Sequence, residues 1–88
     1  MSGGSSRVLV TGATGLAGSH TVRALLDAGH GVRAFVRNPD KARRVFEGQE
    51  GPLETVQGDI GDVTSVREAL GGCDGVIHCA AVVAIGLD

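Results

Sequence analysis

Eight consecutive residues, Thr11-Gly12-Ala13-Thr14-Gly15-Leu16-Ala17-Gly18, combine types and spacing that carry chemistry. Three glycines at intervals of three, between a β-branched run and a segment of helical period, expose backbone N–H groups that an anion can approach. Gly12 allows a tight turn off the strand, and Gly15 lets the backbone come close to a pyrophosphate with no Cβ in the way. Gly18 falls on the buried helix face, where only hydrogen permits close helix–strand packing. The positive end of the helix dipole adds to the attraction. The chemistry is therefore recognition of a phosphate-bearing ligand.

A second feature lies nineteen residues past Gly18, at Arg37. At about 20 residues beyond such a loop, a carboxylate binds the ribose 2′-OH of NAD, whereas an arginine accommodates the 2′-phosphate of NADP. The planar guanidinium of Arg37 suits a phosphate, and Lys41, one turn into the next helix, adds a second cation. Arg43 and Arg44 read as a solvated helix face, and Asp40 as a complement to the helix dipole. NADP is the expected cofactor, with NAD as the alternative.

These residues need a scaffold of alternating strands and helices. Arg7 to Thr11 predicts the first strand, and Gly18, Val22, Leu25 and Leu26 line one face of a helix that Gly29 ends. Val32 to Val36 is the second strand. Asn38 caps the next helix with Pro39 at its first position, and Ala42, Val45 and Phe46 are its buried stripe. After a loop over Gly48 to Pro52, Leu53 to Gln57 reads as a half-polar strand near a sheet edge. Asp62 caps a third helix that should bury Val63, Val66 and Leu70 and stop at Gly71-Gly72. Val76 to Ala81 follows as a strand apolar enough to be buried on both faces. The fold class is thus α/β: a parallel, Rossmann-type sheet of four strands ordered 3-2-1-4 with three helices.

Composition narrows the partners. The 88 residues carry a net charge of −2, with eight Lys+Arg scattered against ten Asp+Glu and two Phe as the whole aromatic complement, which argues against nucleic acid. The apolar run from Cys79 to Ile85 is far shorter than the roughly 20 residues of a membrane span. Residues 1–6 read as a flexible leader without the apolar stretch of a signal peptide, and a cytoplasmic location is expected by default. Cys73 and Cys79 read as reduced thiols. His78, amid apolar neighbours, is expected to be a hydrogen-bonded core histidine; His20 and His30 have no chemical constellation around them.

The TGATGLAG loop, Gly29 to Arg37, Gly58-Asp59-Ile60-Gly61-Asp62 and Asp74 to Ala81 together resemble the extended and atypical branches of the short-chain dehydrogenase/reductase superfamily. The likeness is to the N-terminal portion of NAD-dependent epimerase/dehydratase and dihydroflavonol reductase-like proteins. It implies that Gly12, Thr14, Gly15, Leu16 and Ala17 line the pyrophosphate. It places Asp59 and Ile60 at the adenine, and Ala80, Ala81 and Val82 beneath the adenosine ribose and toward the nicotinamide. The family's Tyr-x-x-x-Lys pair has no counterpart, since the chain contains no Tyr and its single Lys is Lys41. Residues 7–88 are therefore expected to be the N-terminal portion of the domain, inactive alone. Three functions remain open: the cofactor-binding part of an NADP-dependent oxidoreductase acting on a small carbonyl or alcohol, a non-catalytic NADP-binding redox sensor, and an NAD-dependent sugar-nucleotide epimerase or dehydratase. The first two helices should share one face of the sheet, leaving the other undercovered and inviting self-association or a companion chain.

Overall fold

The computed structural model describes residues 6–79. The elements follow one another as β1 (Arg7–Thr11), α1 (Leu16–Asp27), β2 (Gly31–Val36), α2 (Pro39–Val45), β3 (Leu53–Gln57), α3 (Val63–Leu70) and β4 (Gly75–His78). The strands form one sheet in the order β3-β2-β1-β4, every pairing parallel. Both the Rossmann-type order and the alternation are those expected from the sequence. The leader through Ser5, and any continuation of the last strand past Cys79, lie outside the described residues.

Alternation along the central strands divides the interior into two layers. Val10, Val32, Ala34 and Val36 pack with Val22 and Leu26 of α1 and with Ala42 and Phe46 at α2, which places these two helices on one face. Leu9 and Phe35 point to the opposite face, where they meet Ala69 of α3. Adjacent side chains on a strand point to opposite faces, so a continuous apolar run such as Val8-Leu9-Val10 feeds both layers.

Local signals set most boundaries. Gly29, at φ +94°, terminates α1: its N–H donates to Leu26 O, and that of His30 donates to Leu25 O, the paired bonds of a left-handed helix end. Asn38 Oδ1 accepts from the N–H groups of Asp40 and Lys41, and Asp62 Oδ1 from those of Thr64 and Ser65. Both are the N-caps expected.

Two expectations are corrected. In α3 the buried residue is Ala69, with Val66 half-buried, while Val63 is 67% and Leu70 36% exposed. The small Ala69 side chain sits against Leu9 and Phe35 with Val66 packed partly beside it, while Val63 and Leu70 are exposed. Strand β4 is not buried on both faces either: Val76 is 50% and Ile77 37% exposed, because among the described residues β4 pairs only with β1 and stands at the sheet edge. No helix among the described residues is long and apolar enough to cross a membrane.

Arg33 ties the second layer together. Its Nη1 donates to Ala69 O and Gly71 O, each at 2.6 Å, and its Nε to Glu54 Oε1 at 2.9 Å. The bond to Glu54 raises the arginine's pKa above its ordinary value, against the opposing effect of desolvation. A mainly buried strand arginine thus satisfies carbonyls at the end of α3 that the helix cannot satisfy itself.

Candidate functional site

The carboxyl ends of the parallel strands open into a cleft of about 660 Å³. Its lining comes from the turn after β1 (Thr11, Gly12, Ala13, Thr14), the end of β2 and start of α2 (Phe35, Val36, Arg37, Asn38, Lys41), the loop after β3 (Gly58, Ile60) and the end of β4 (His78, Cys79). Ligands of open α/β sheets bind at this end, where neighbouring connections run to opposite faces of the sheet. Here the β1–α1 connection and the β3–α3–β4 connection diverge, and the cleft lies between them.

The three loop glycines differ in what their backbones require. Gly12 has φ +65°, and a Cβ there would run into the carbonyl oxygen of Cys79. A Cβ on Gly18 would strike the Gly12 carbonyl, with Ala13 Cα only 2.8 Å away. At Gly15, by contrast, φ is −78° and the nearest atom to an added Cβ is Gly12 O at 3.5 Å. The fold therefore demands glycine at 12 and 18 but would admit a Cβ at 15 in ordinary van der Waals contact.

Gly15 lies at the N-terminus of α1 as its N-cap, and no side chain there accepts from the first-turn N–H groups. Helices α2 and α3 are both capped by a side chain. An uncapped N-terminus beside a Cβ-free approach has the donors and the dipole sign for a phosphate, so the loop fits a pyrophosphate-bearing ligand.

The other expected residues are distributed unevenly. Arg37 and Lys41 both line the cleft, as do Gly12, Thr14 and Ile60. Gly15, Leu16 and Ala17 stand exposed at the start of α1, Leu16 at 80%. Asp59 lies on the loop after β3, with Oδ1 accepting from Gly61 N–H at 2.9 Å. Ala80, Ala81 and Val82 lie outside the described residues. Arg43 pairs with Asp40 at 2.8 Å, both side chains largely in solvent, which agrees with the solvated helix face read from the sequence.

Several participants were not singled out by the sequence. Phe35, Val36 and Asn38 wall the cleft beside Arg37, and His78 lines it while bonded to Thr11, the first residue of the loop that the sequence did single out. His78 is hydrogen-bonded, as expected, but it is exposed rather than in the core, because β4 is an edge strand. Gly58 also belongs here, since a Cβ on it would collide with the Phe35 ring and Ser65 Oγ. A glycine directly after a half-buried strand was the available signal, and it did not say which neighbours crowd it. Cys73 and Cys79 are both free thiols.

Comparison with known proteins agrees with this geometry. A family model described as NAD(P)H-binding matches residues 12–86. Cinnamoyl-CoA reductase 1 of Petunia hybrida is 45% identical over 80 residues, covering 86% of this chain and 24% of the reductase. Dihydroflavonol 4-reductase of Hordeum vulgare is 41% identical over 85 residues, covering 91% of this chain and 24% of the reductase. Among solved structures, vestitone reductase from alfalfa (Medicago sativa L.) superposes with a TM-score of 0.73 at 30% identity, over 91% of this chain and 26% of that one. The chain spans about a quarter of the length of these relatives.

Proposed function

This chain belongs to the NAD(P)H-binding family of the reductase and epimerase/dehydratase type, and we propose that it holds NADP in preference to NAD. One observation carries the preference. The cleft is lined by two cations, Arg37 and Lys41, and by no carboxylate among the described residues. A 2′-phosphate placed there gains charge-assisted hydrogen bonds, whereas a 2′-hydroxyl finds no acidic acceptor.

In this reading the chain's own residues bind and orient. Gly12 to Ala17 and the start of α1 receive the pyrophosphate, and Arg37 with Lys41 receives the 2′-phosphate. Ile60, half exposed, offers an apolar surface to the base, and Asp59 stands beside it with a carboxylate for the base's amino group. Ala80, Ala81 and Val82, which lie outside the described residues, are proposed contacts for the ribose and the nicotinamide side on the family resemblance alone. When bound, the nicotinamide supplies hydride transfer, and the protein supplies placement. The reductase names of the relatives support placing the chain in an oxidoreductase that acts on a carbonyl or alcohol. The Tyr-x-x-x-Lys pair of such enzymes is not among these 88 residues, which contain no Tyr.

Calorimetry on the chain tests the cofactor assignment. NADP should bind more tightly than NAD, and Arg37→Asp should reduce or reverse the preference. Equal affinities in the unaltered chain overturn it.

A further inference from the structure

We infer that Ser65, a residue of α3 outside the cleft's lining, is a positioning residue for the wall of the cleft formed by Gly58 to Ile60. The inference rests on the dinucleotide reading above and extends it to a residue that touches no ligand.

Ser65 lies in the first turn of α3, half-buried, and its Oγ accepts from the backbone N–H of Asp59 at 3.2 Å. The same hydroxyl is one of the two groups that a Cβ on Gly58 would strike, the other being the Phe35 ring. Gly58 is thus held between a core aromatic and this hydroxyl, and its own N–H donates to Val36 O at 2.9 Å. The turn that follows closes on itself: Asp62 N–H donates to Asp59 O, and Gly61 N–H to Asp59 Oδ1, each at 2.9 Å. Because Asp62 is itself the N-cap of α3, the Asp62–Asp59 bond ties the far side of the turn to the helix backbone. The near side, at Gly58 and the Asp59 N–H, is held by the Gly58–Val36 bond and the Ser65 hydroxyl.

Position decides the consequence. Gly58 and Ile60 line the cleft, and Asp59 lies between them. Without the Ser65 hydroxyl, Asp59 N–H loses its acceptor, and the wall keeps only the Gly58–Val36 and Asp62–Asp59 backbone bonds, so its near side gains freedom to move relative to α3 and Phe35. A ligand resting its base on that wall must then order it on binding, at an entropic cost the unaltered chain does not meet. The phosphate loop, on the other side of the cleft, makes no bond to Ser65 and keeps its geometry.

The experiment compares the full chain with Ser65→Ala and Ser65→Thr, using NADP and 2′,5′-ADP as ligands and amide hydrogen exchange as the structural readout. In Ser65→Ala, protection at Asp59 should fall while that of Val10 and Val32 in the sheet is retained. Affinity for both ligands should drop by about two- to tenfold, the range of one lost hydrogen bond. Ser65→Thr keeps the hydroxyl and should restore both. Unchanged affinity in Ser65→Ala overturns the inference, as does a loss that accompanies lowered protection throughout the sheet, which would mark general destabilisation. If the unaltered chain binds neither ligand, the dinucleotide reading falls and this inference with it; binding by the unaltered chain with no effect of Ser65→Ala removes this inference alone.

Discussion

Thr11 and His78 face each other across the β1–β4 pairing, with Thr11 Oγ1 2.6 Å from His78 Nδ1. The threonine is buried and the imidazole is exposed to the cleft, so the bond links the last core residue before the phosphate loop to the sheet edge. A hydroxyl can donate to a bare ring nitrogen or accept from a protonated one, so the pairing is compatible with either tautomer. Thr11→Val removes it at nearly constant volume and His78→Phe removes the other partner. A double-mutant cycle by denaturant unfolding should give a coupling of about 0.5–1.5 kcal/mol. A coupling of zero would mean that strand pairing alone holds β4 in register.

The glycines of the phosphate loop should separate into two classes. Gly18→Ala drives a methyl into the Gly12 carbonyl and should cost about 1–3 kcal/mol of stability, read from the unfolding midpoint. Gly15→Ala makes only an ordinary van der Waals contact with Gly12 O, so its cost should stay within about 1 kcal/mol, the loss of a favoured cap residue. Its effect should appear instead as weakened NADP binding in calorimetry. Equal destabilisation by the two changes would refute the division.

Lys41 should matter less than Arg37. Both line the cleft, but a lysine is a flexible, strongly hydrated point charge and an arginine a preorganised fork for phosphate oxygens. Lys41→Ala is expected to weaken NADP binding less than Arg37→Ala, with little change for NAD. Raising the salt concentration should shrink both differences, since exposed charges are screened.

Arg33 is predicted to contribute stability that does not vary with pH over the working range. Its folded-state pKa is raised by Glu54, so its contribution is fully present below the unfolded-state pKa and is lost only as pH rises through the still higher folded value. Arg33→Met should lower stability by about 1–3 kcal/mol, because Ala69 O and Gly71 O lose their shared donor. The loss should be the same at pH 6 and pH 9. A loss confined to one end of that range would show that Arg33 acts through a titrating partner instead of through the carbonyls.

The exposed β4 edge leads us to expect self-association. Val76 and Ile77 present apolar side chains there, and an unpaired strand edge is a template for another chain. Sedimentation should show oligomers of the 88-residue chain that Val76→Lys shifts toward monomer. A monodisperse monomer that unfolds cooperatively would refute this.

The sequence by itself determined the features whose causes lie within a few residues. Asn38 before Pro39, Asp62 before α3 and Gly29 after α1 mark boundaries because capping involves only the adjoining turn, and the four strands that carry the cleft follow from the apolar and β-branched runs between them. The glycine requirement at 12 and 18 was legible for the same reason, since both act on a single strand–turn–helix unit. That Arg37 lines the same cleft as the loop was legible because a fixed unit length carries it to the end of the neighbouring strand. What only the tertiary structure decided involves residues far apart in the chain. Helical period alone marks Val63 and Leu70 as core, yet Ala69 is the residue buried, because Leu9 and Phe35 leave room at that point for a small side chain and Arg33 holds the helix end beside them. The run Val76-Ile77 reads as a doubly buried strand, but burial is set by what lies above and beside it, and among the described residues β4 is flanked on one side only. Thr11 with His78, and Ser65 with the Asp59 backbone, meet because the third crossover returns the chain to β1 and lays α3 against the opposite face of the sheet, a proximity that no local pattern encodes.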